Sequence, residues 1–172
     1  KPGLKAVDLF RAIEAGSVKA VWIMATNPVV SMPDADQVRR ALAACELVVV
    51  SDVVAGTDLA PYAHVALPAL AWGEKDGTVT NSERCISRQR AFLPAPGEAR
   101  ADWRALCDVA QRMGYAGFDF DSAHAIFDEH ARLSAWKNDD DGHRRAFRLD
   151  PLVGMRRAAR VARLMRSGVL GW

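Results

Sequence analysis

The chain is poor in cysteine and has no CxxC pair. Cys45, Cys85 and Cys107 stand far apart, so neither a zinc ribbon nor an iron–sulfur cluster can be built from this chain alone. Free thiols without a disulfide framework fit a reducing compartment, the cytoplasm. Cys45 and Cys107 fall on the apolar faces of expected helices, where a free thiol packs as a small hydrophobe. Charge of one sign is also lacking. Lys and Arg number 23 against 21 Asp and Glu, a formal net charge of +2, which gives no reason to expect nucleic acid or an anionic membrane surface as a partner. The longest apolar stretch, around Val21 to Ala25, is far below the ~18–20 residues of a membrane span. No secretory-signal pattern opens the chain. The first residue is Lys1 rather than Met, and the chain reads as a piece of a longer polypeptide.

Several motifs are missing as well. The segment Ala25-Thr26-Asn27-Pro28-Val29-Val30-Ser31 follows the first apolar run where a GxGxxG would stand, which argues against ordinary NAD binding. There is no GxxxxGK followed by Ser or Thr, and no GxSxG, HExxH or EF-hand loop. His64, His124, His130 and His143 are scattered and read as surface or satisfied core histidines.

What is present is globular. Half of the 172 residues are hydrophobic and 26% are charged, about one domain's worth of chain. Lys5 to Glu14 reads as a helix with Val7, Phe10 and Ile13 on one stripe, stopped by Gly16. Ala20 to Ala25 is a continuous apolar run, as in a parallel strand covered on both faces, ended by Thr26-Asn27-Pro28. A helix from about Asp34 to Cys45 carries Val38, Leu42 and Cys45 on one face, with Asp34 and Asp36 in its first turn. Leu47 to Val50 is a second buried-strand run, closed by Ser51-Asp52. Strand, helix and strand with short connections make a βαβ unit with parallel strands. A third short strand is expected at Val65 to Leu67, ended by Pro68. Trp72 to Arg90 reads as an ordered loop with extended pieces. Ala101 to Met113 is an amphipathic helix with Gly114 as its C-terminal cap, and Ser122 to Ser134 is another helix. Beyond Ala135 the character changes. Asp139-Asp140-Asp141-Gly142 is a charged turn, and Met155 to Arg166 carries five arginines against Val161, Leu164 and Met165. The expected architecture is α/β: a parallel-sheet, Rossmann-like domain over 1–135, then a charged linker and a basic amphipathic helical tail over 136–172.

Ligands of open parallel sheets bind beyond the carboxyl ends of the strands. Two such ends are Thr26-Asn27-Pro28 and Ser51-Asp52, expected side by side. Asn27 offers donors and an acceptor, Ser51 a hydroxyl, and Asp52 a carboxylate suited to ribose hydroxyls or the N–H edge of guanine. The same residue types also simply form turns at strand ends.

The most informative segment is Leu67-Pro68, Trp72-Gly73-Glu74-Lys75-Asp76-Gly77-Thr78 and Asn81-Ser82-Glu83-Arg84. A long, polar, glycine-punctuated loop beside a strand end is costly to order unless something uses it. This stretch resembles the LPxxxWxEKxGTxxNxERR pattern of the molybdopterin-guanine-dinucleotide oxidoreductases, the dimethyl-sulfoxide-reductase superfamily. Val21 to Pro28, Val48 to Asp52 and Pro94 to Trp103 match the same family in order and spacing, over about residues 4–155. Within the superfamily the resemblance is nearest to the catalytic subunits of bacterial assimilatory nitrate reductases.

That resemblance implies a fragment of a molybdenum enzyme reducing nitrate to nitrite. This part would be the third domain, holding the guanosine end of a bis-molybdopterin guanine dinucleotide cofactor. The family's TN motif places a cofactor contact at Asn27, its SD pair at Ser51 and Asp52, the Lys of its EK motif at Lys75, and the Asp of its EAxxD motif at Asp102. By its chemistry Asp102 can accept from a guanine edge, or act only as an N-terminal helix charge. Lys75 can face a pyrophosphate or the pterin. Cys85 stands where the family usually has Arg. No catalytic acid, base or metal ligand is identified, so the chain alone is expected to be inactive. The implied molybdenum ligand and iron–sulfur cysteines would lie elsewhere in the parent. Implied partners are the parent's remaining domains, an electron-donor protein or subunit, and nitrate. The corresponding domain of a molybdenum formate dehydrogenase is the alternative, and a non-catalytic α/β interaction domain is the alternative of another class.

Overall fold

A computed structural model of the chain describes residues 3–83 and 85–134. Helix α1 spans Ala6–Glu14 and buries Phe10 and Ile13, one turn apart on a single stripe. It ends at Gly16, whose φ of +72° is the left-handed conformation glycine adopts without a Cβ penalty. The Gly16 N–H then reaches Ile13 O and the Ser17 N–H reaches Ala12 O, which satisfies carbonyls the helix end leaves open. Strand β1 is Ala20–Met24. A four-residue helix, α2, follows at Pro28–Ser31, where the sequence suggested only a loop. Pro28 occupies its first turn, where a missing N–H is harmless and the fixed φ suits the helix.

Helix α3 spans Ala35–Ala44, and the Asp34 side chain caps it by accepting from the Gln37 N–H at 2.9 Å. Strand β2 is Leu47–Asp52 and strand β3 is Val65–Pro68. They form one parallel sheet in the order β1-β2-β3. Ile23, Val48 and Val50 enter one core with Phe10 and Ile13 of α1 and Val38 and Leu42 of α3. Each such buried aliphatic or aromatic side chain contributes about 1.5–3 kcal/mol. The opposite sheet face carries Trp22, Met24 and Val49 half-buried, with Leu47 and Val65 exposed. The continuous apolar runs suggested strands covered on both faces. Here α1 and α3 supply cover for one face, and the residues that alternate with the core positions stay partly open.

The described residues form two compact units, one drawn from residues 3–71 with Ala95–Arg104, the other from Trp72–Pro94 with residues 105–134. The first holds the sheet. Helix α4, Asp102–Arg112, begins in the first unit and continues in the second. It ends on Gly114, at φ +83°, with the Gly114 N–H on Gln111 O and the Tyr115 N–H on Ala110 O, as its sequence suggests.

The second unit contains an antiparallel hairpin, β4 at Gly77–Thr80 and β5 at Ile86–Gln89. Its turn is closed by the Asn81 N–H on Cys85 O and by the Cys85 N–H on Asn81 Oδ1. Helix α5, Ala123–Ser134, packs against β4. A short 3-10 turn at Trp72–Glu74 precedes the hairpin. Cys45 and Cys107 are both buried and Cys85 is exposed. The charged turn at 139–142 and the basic helix expected at 155–166 lie outside the described residues.

Candidate functional site

The parallel register brings two strand ends together. Met24 pairs with Ser51, and the Ala25 N–H donates to Ser51 O at 3.2 Å. Ala25 leaves β1 at φ +53°, a left-handed conformation that costs an L-residue about 1–2 kcal/mol. The chain then turns through Thr26 into Asn27. The Asn27 carbonyl accepts from the Val30 and Ser31 N–H groups, so its main chain starts α2. Its side chain does no capping. Instead Nδ2 donates to Asp58 Oδ2 at 3.3 Å, and Oδ1 is buried with no partner. A buried amide oxygen without a donor costs about 1–3 kcal/mol.

The end of β2 presents two groups already half engaged. Ser51 is buried, and its Oγ accepts from Trp22 Nε1 at 2.8 Å. With one acceptor position used, the hydroxyl still has its proton and a second lone pair to offer. Asp52 closes a turn by accepting at Oδ1 from the Val53 N–H (2.7 Å) and the Val54 N–H (3.3 Å). Among the described residues its Oδ2 takes no hydrogen bond. The turn that Asx residues make at strand ends is therefore present, and it uses one carboxylate oxygen of two.

Asp102 reaches the same edge of the sheet by a chain of main-chain bonds. The Ala69 N–H donates to Asp52 O at 3.0 Å, the Arg100 N–H to Pro68 O at 3.0 Å, and the Leu70 N–H to Arg100 O at 3.1 Å. Arg100 thus bridges Ala69 in parallel, as a one-residue extension of the sheet. Two residues later Asp102 opens α4, where the helix dipole favours an anion. Four of the five expected site residues therefore belong to one unit: Asn27 follows β1, Ser51 and Asp52 end β2, and Asp102 follows the Arg100 bridge beyond β3.

Lys75 belongs to the second unit. Its loop is held by the buried Gln89, whose Nε2 donates to Lys75 O at 3.2 Å and to Trp72 O. Packed beneath that loop, Gly73 lies so close to the Phe92 ring that an added Cβ would stand 2.7 Å from its Cζ. Asp58 is the residue the sequence did not single out. It sits in an irregular Gly-Thr-Asp turn with no repeat or motif, and only its bond to Asn27 marks it.

The first unit's set is rich in acceptors: the Asn27 amide oxygen, the second Asp52 oxygen and the Asp102 carboxylate. Such a set matches hydroxyl and N–H donors, the groups on a nucleoside, and not the oxygens of a phosphate. Lys75 carries the charge a phosphate needs. A cavity of about 150 Å³ lies elsewhere, among Phe10, Arg11, Met32, Pro33 and Asp34 in the helical layer, and includes none of these residues. Among the described residues no three His, Cys, Asp or Glu side chains are grouped to hold a metal ion. No helix there is long and apolar enough to cross a membrane.

The family model described as "Molybdopterin oxidoreductase" matches residues 1–112, a span that includes all five expected site residues. A nitrate reductase of Klebsiella oxytoca is 57% identical over 159 residues, 92% of this chain and 18% of its own. The alpha subunit of an F420-dependent formate dehydrogenase of Methanococcus maripaludis is 38% identical over 133 residues, 77% of this chain and 19% of its own. Among solved structures, acetylene hydratase from Pelobacter acetylenicus superposes with a TM-score of 0.60 at 22% identity, covering 76% of this chain and 18% of that one, which shows a shared fold. The chain thus spans about a fifth of the length of the curated relatives it matches. On the family match and the identity to its relatives, the chain belongs to the molybdopterin oxidoreductase family.

Proposed function

We propose that this segment holds the guanosine end of a bis-molybdopterin guanine dinucleotide in a molybdenum nitrate reductase, whose whole chain reduces nitrate to nitrite. The observation that carries the reading is the acceptor-rich edge of the β1-β2-β3 sheet, where Asn27 Oδ1 is buried and unpartnered and Asp52 keeps an unused oxygen. The cofactor, when bound, supplies the oxygen-atom transfer chemistry; the protein supplies position and electrostatics.

In this reading Asp52 accepts from ribose hydroxyls with its second oxygen, while its first holds the Val53–Val54 turn. Asn27 accepts from a further donor of the nucleoside. Ser51, tied to Trp22, donates its remaining proton. Asp102 accepts from the guanine N1–H and N2–H₂ edge, and Lys75 faces a phosphate or the pterin. None of these residues is asked to take up or release a proton, so the segment's role is binding and orientation. The molybdenum ligand, the iron–sulfur cluster and the surface for an electron-donor protein belong to the rest of the parent, which is read as cytoplasmic.

Identity favours nitrate over formate as the substrate: 57% to a nitrate reductase against 38% to a formate dehydrogenase. Assay of the purified full-length parent with a reduced dye and nitrate, and with formate and an oxidised dye, separates them. Nitrite formation without formate oxidation is expected; formate oxidation alone overturns the substrate assignment. A parent that carries no molybdenum and no guanine nucleotide would instead mark the segment as a non-catalytic interaction domain.

A further inference from the structure

Asp58 has no place in the motifs above, yet it is the side chain that meets Asn27. We propose that Asp58 is a positioning residue: by accepting from Asn27 Nδ2 it fixes which way the amide faces and so holds Oδ1 for a hydrogen-bond donor on the bound nucleoside. The proposal rests on the strand-end reading of the preceding section and goes one residue beyond it.

The two ends of an Asn amide have nearly the same shape and opposite hydrogen-bonding character. Nothing in the α2 cap decides between them, because Asn27 caps with its main chain only. The Asp58 carboxylate does decide. With Nδ2 at 3.3 Å from Asp58 Oδ2, a donor meets an anionic acceptor, and such charge-assisted bonds are the stronger kind. Turning the amide over would set its oxygen against that carboxylate, acceptor against acceptor. The consequence of the favoured orientation is Oδ1, buried and unpartnered. A folded chain retains such a group at a cost, and a ligand N–H or O–H placed there removes the cost. Backbone strain collects beside it, at Ala25 with φ +53°, as it does where a site over-determines the chain. The polarity is selective: a ribose hydroxyl or a guanine N–H satisfies Oδ1, and a phosphate oxygen does not.

The test uses the full-length enzyme and reads GMP released by acid per polypeptide, with far-ultraviolet circular dichroism as the check on folding. Asp58→Ala and Asn27→Asp should each lower the GMP content several-fold. Asp58→Asn should lower it less than Asp58→Ala, since the new amide can still present an oxygen to Asn27 but no longer forbids the turned-over amide. The exchange Asn27→Asp with Asp58→Asn should restore it, because the amide at 58 then donates to one carboxylate oxygen at 27 and leaves the other for the ligand. Should Asp58→Ala fail to fold, the exchange carries the test. If Asn27→Ala lowers GMP but Asp58→Ala does not, or the folded exchange variant stays as low as Asn27→Asp, Asp58 does not position Asn27. If Asn27→Ala itself leaves GMP unchanged, the strand-end reading fails instead.

Discussion

Trp22 and Ser51 are joined across adjacent parallel strands: the indole Nε1–H donates to Ser51 Oγ at 2.8 Å, two residues beyond Val49, the register partner of Trp22. The bond ties the position of a buried hydroxyl at the carboxyl end of β2 to a large side chain on the open face of the sheet. Removing either member has unequal consequences. Ser51→Ala leaves a part-buried indole N–H without its acceptor and should cost about 1–3 kcal/mol. Trp22→Phe removes the donor and leaves a hydroxyl that can turn to other partners, so its hydrogen-bonding loss should be smaller. Denaturant midpoints of the full-length variants, with the double variant closing the cycle, give the coupling; additive losses would contradict the bond.

His64 governs the start of β3. Its side-chain Nδ1 accepts from the Val48 N–H at 3.0 Å while its main-chain N–H donates to Val48 O at 2.9 Å. The imidazole thus completes a rung of the sheet that main chain alone would leave open, and the other nitrogen, Nε2, carries the proton. His64→Ala should unpair the Val48 N–H, with a cost of about 1–3 kcal/mol. Amide hydrogen exchange of the β2 peptide in the full-length protein should speed up, whereas unchanged exchange at Val48 would show the ring to be idle.

Acid should weaken the α1–α3 layer. Arg40 Nε donates to Glu14 Oε1 at 2.8 Å, and that hydrogen bond is the main reason the Glu14 carboxyl is held below the ordinary glutamate range. A carboxyl lowered in the folded state stabilises the fold at pH above its unfolded value, and the contribution is lost as pH falls through the folded value. Glu14→Gln should therefore flatten part of the acid limb of a stability-against-pH curve, and added salt should do the same because the pair is exposed. Superimposable acid limbs for both proteins would show that the pair does not contribute.

Much of the layout was legible because it follows from short-range rules. The stripe of Phe10 and Ile13, the acidic start of α3, the apolar run at Leu47 and the glycine at 114 each name an element by local chemistry, and each element stands where that chemistry puts it, although Asp34, read as a first-turn charge, is the N-cap itself. The site was legible to the extent that parallel strands must end on the same side, which is why Asn27 and Ser51-Asp52 follow adjacent strands. What stayed hidden was decided by tertiary context. Helix α2 is a single turn, too short for a periodic pattern to show, and Pro28 reads equally as a loop signal. The Trp72–Arg90 stretch conceals a hairpin because its strands are short and polar, and β4 is mostly exposed. Asp58 is one polar residue in a turn, distinguished only by a bond across 31 positions of sequence. Coverage of both sheet faces was suggested by apolar composition alone, which records what a strand tolerates and not which neighbour supplies the cover.

In the proposed site the second oxygen of Asp52 holds the nucleoside end of the cofactor while the first holds the turn. Asp52→Asn keeps an acceptor for the Val53 and Val54 N–H groups and removes the negative charge; Asp52→Ala removes both. The decisive measurement is the guanine nucleotide released per polypeptide from full-length Asp52→Asn enzyme whose folding matches the parent. A several-fold drop is expected, with far-ultraviolet circular dichroism unchanged. A full complement of GMP in that folded variant would contradict it.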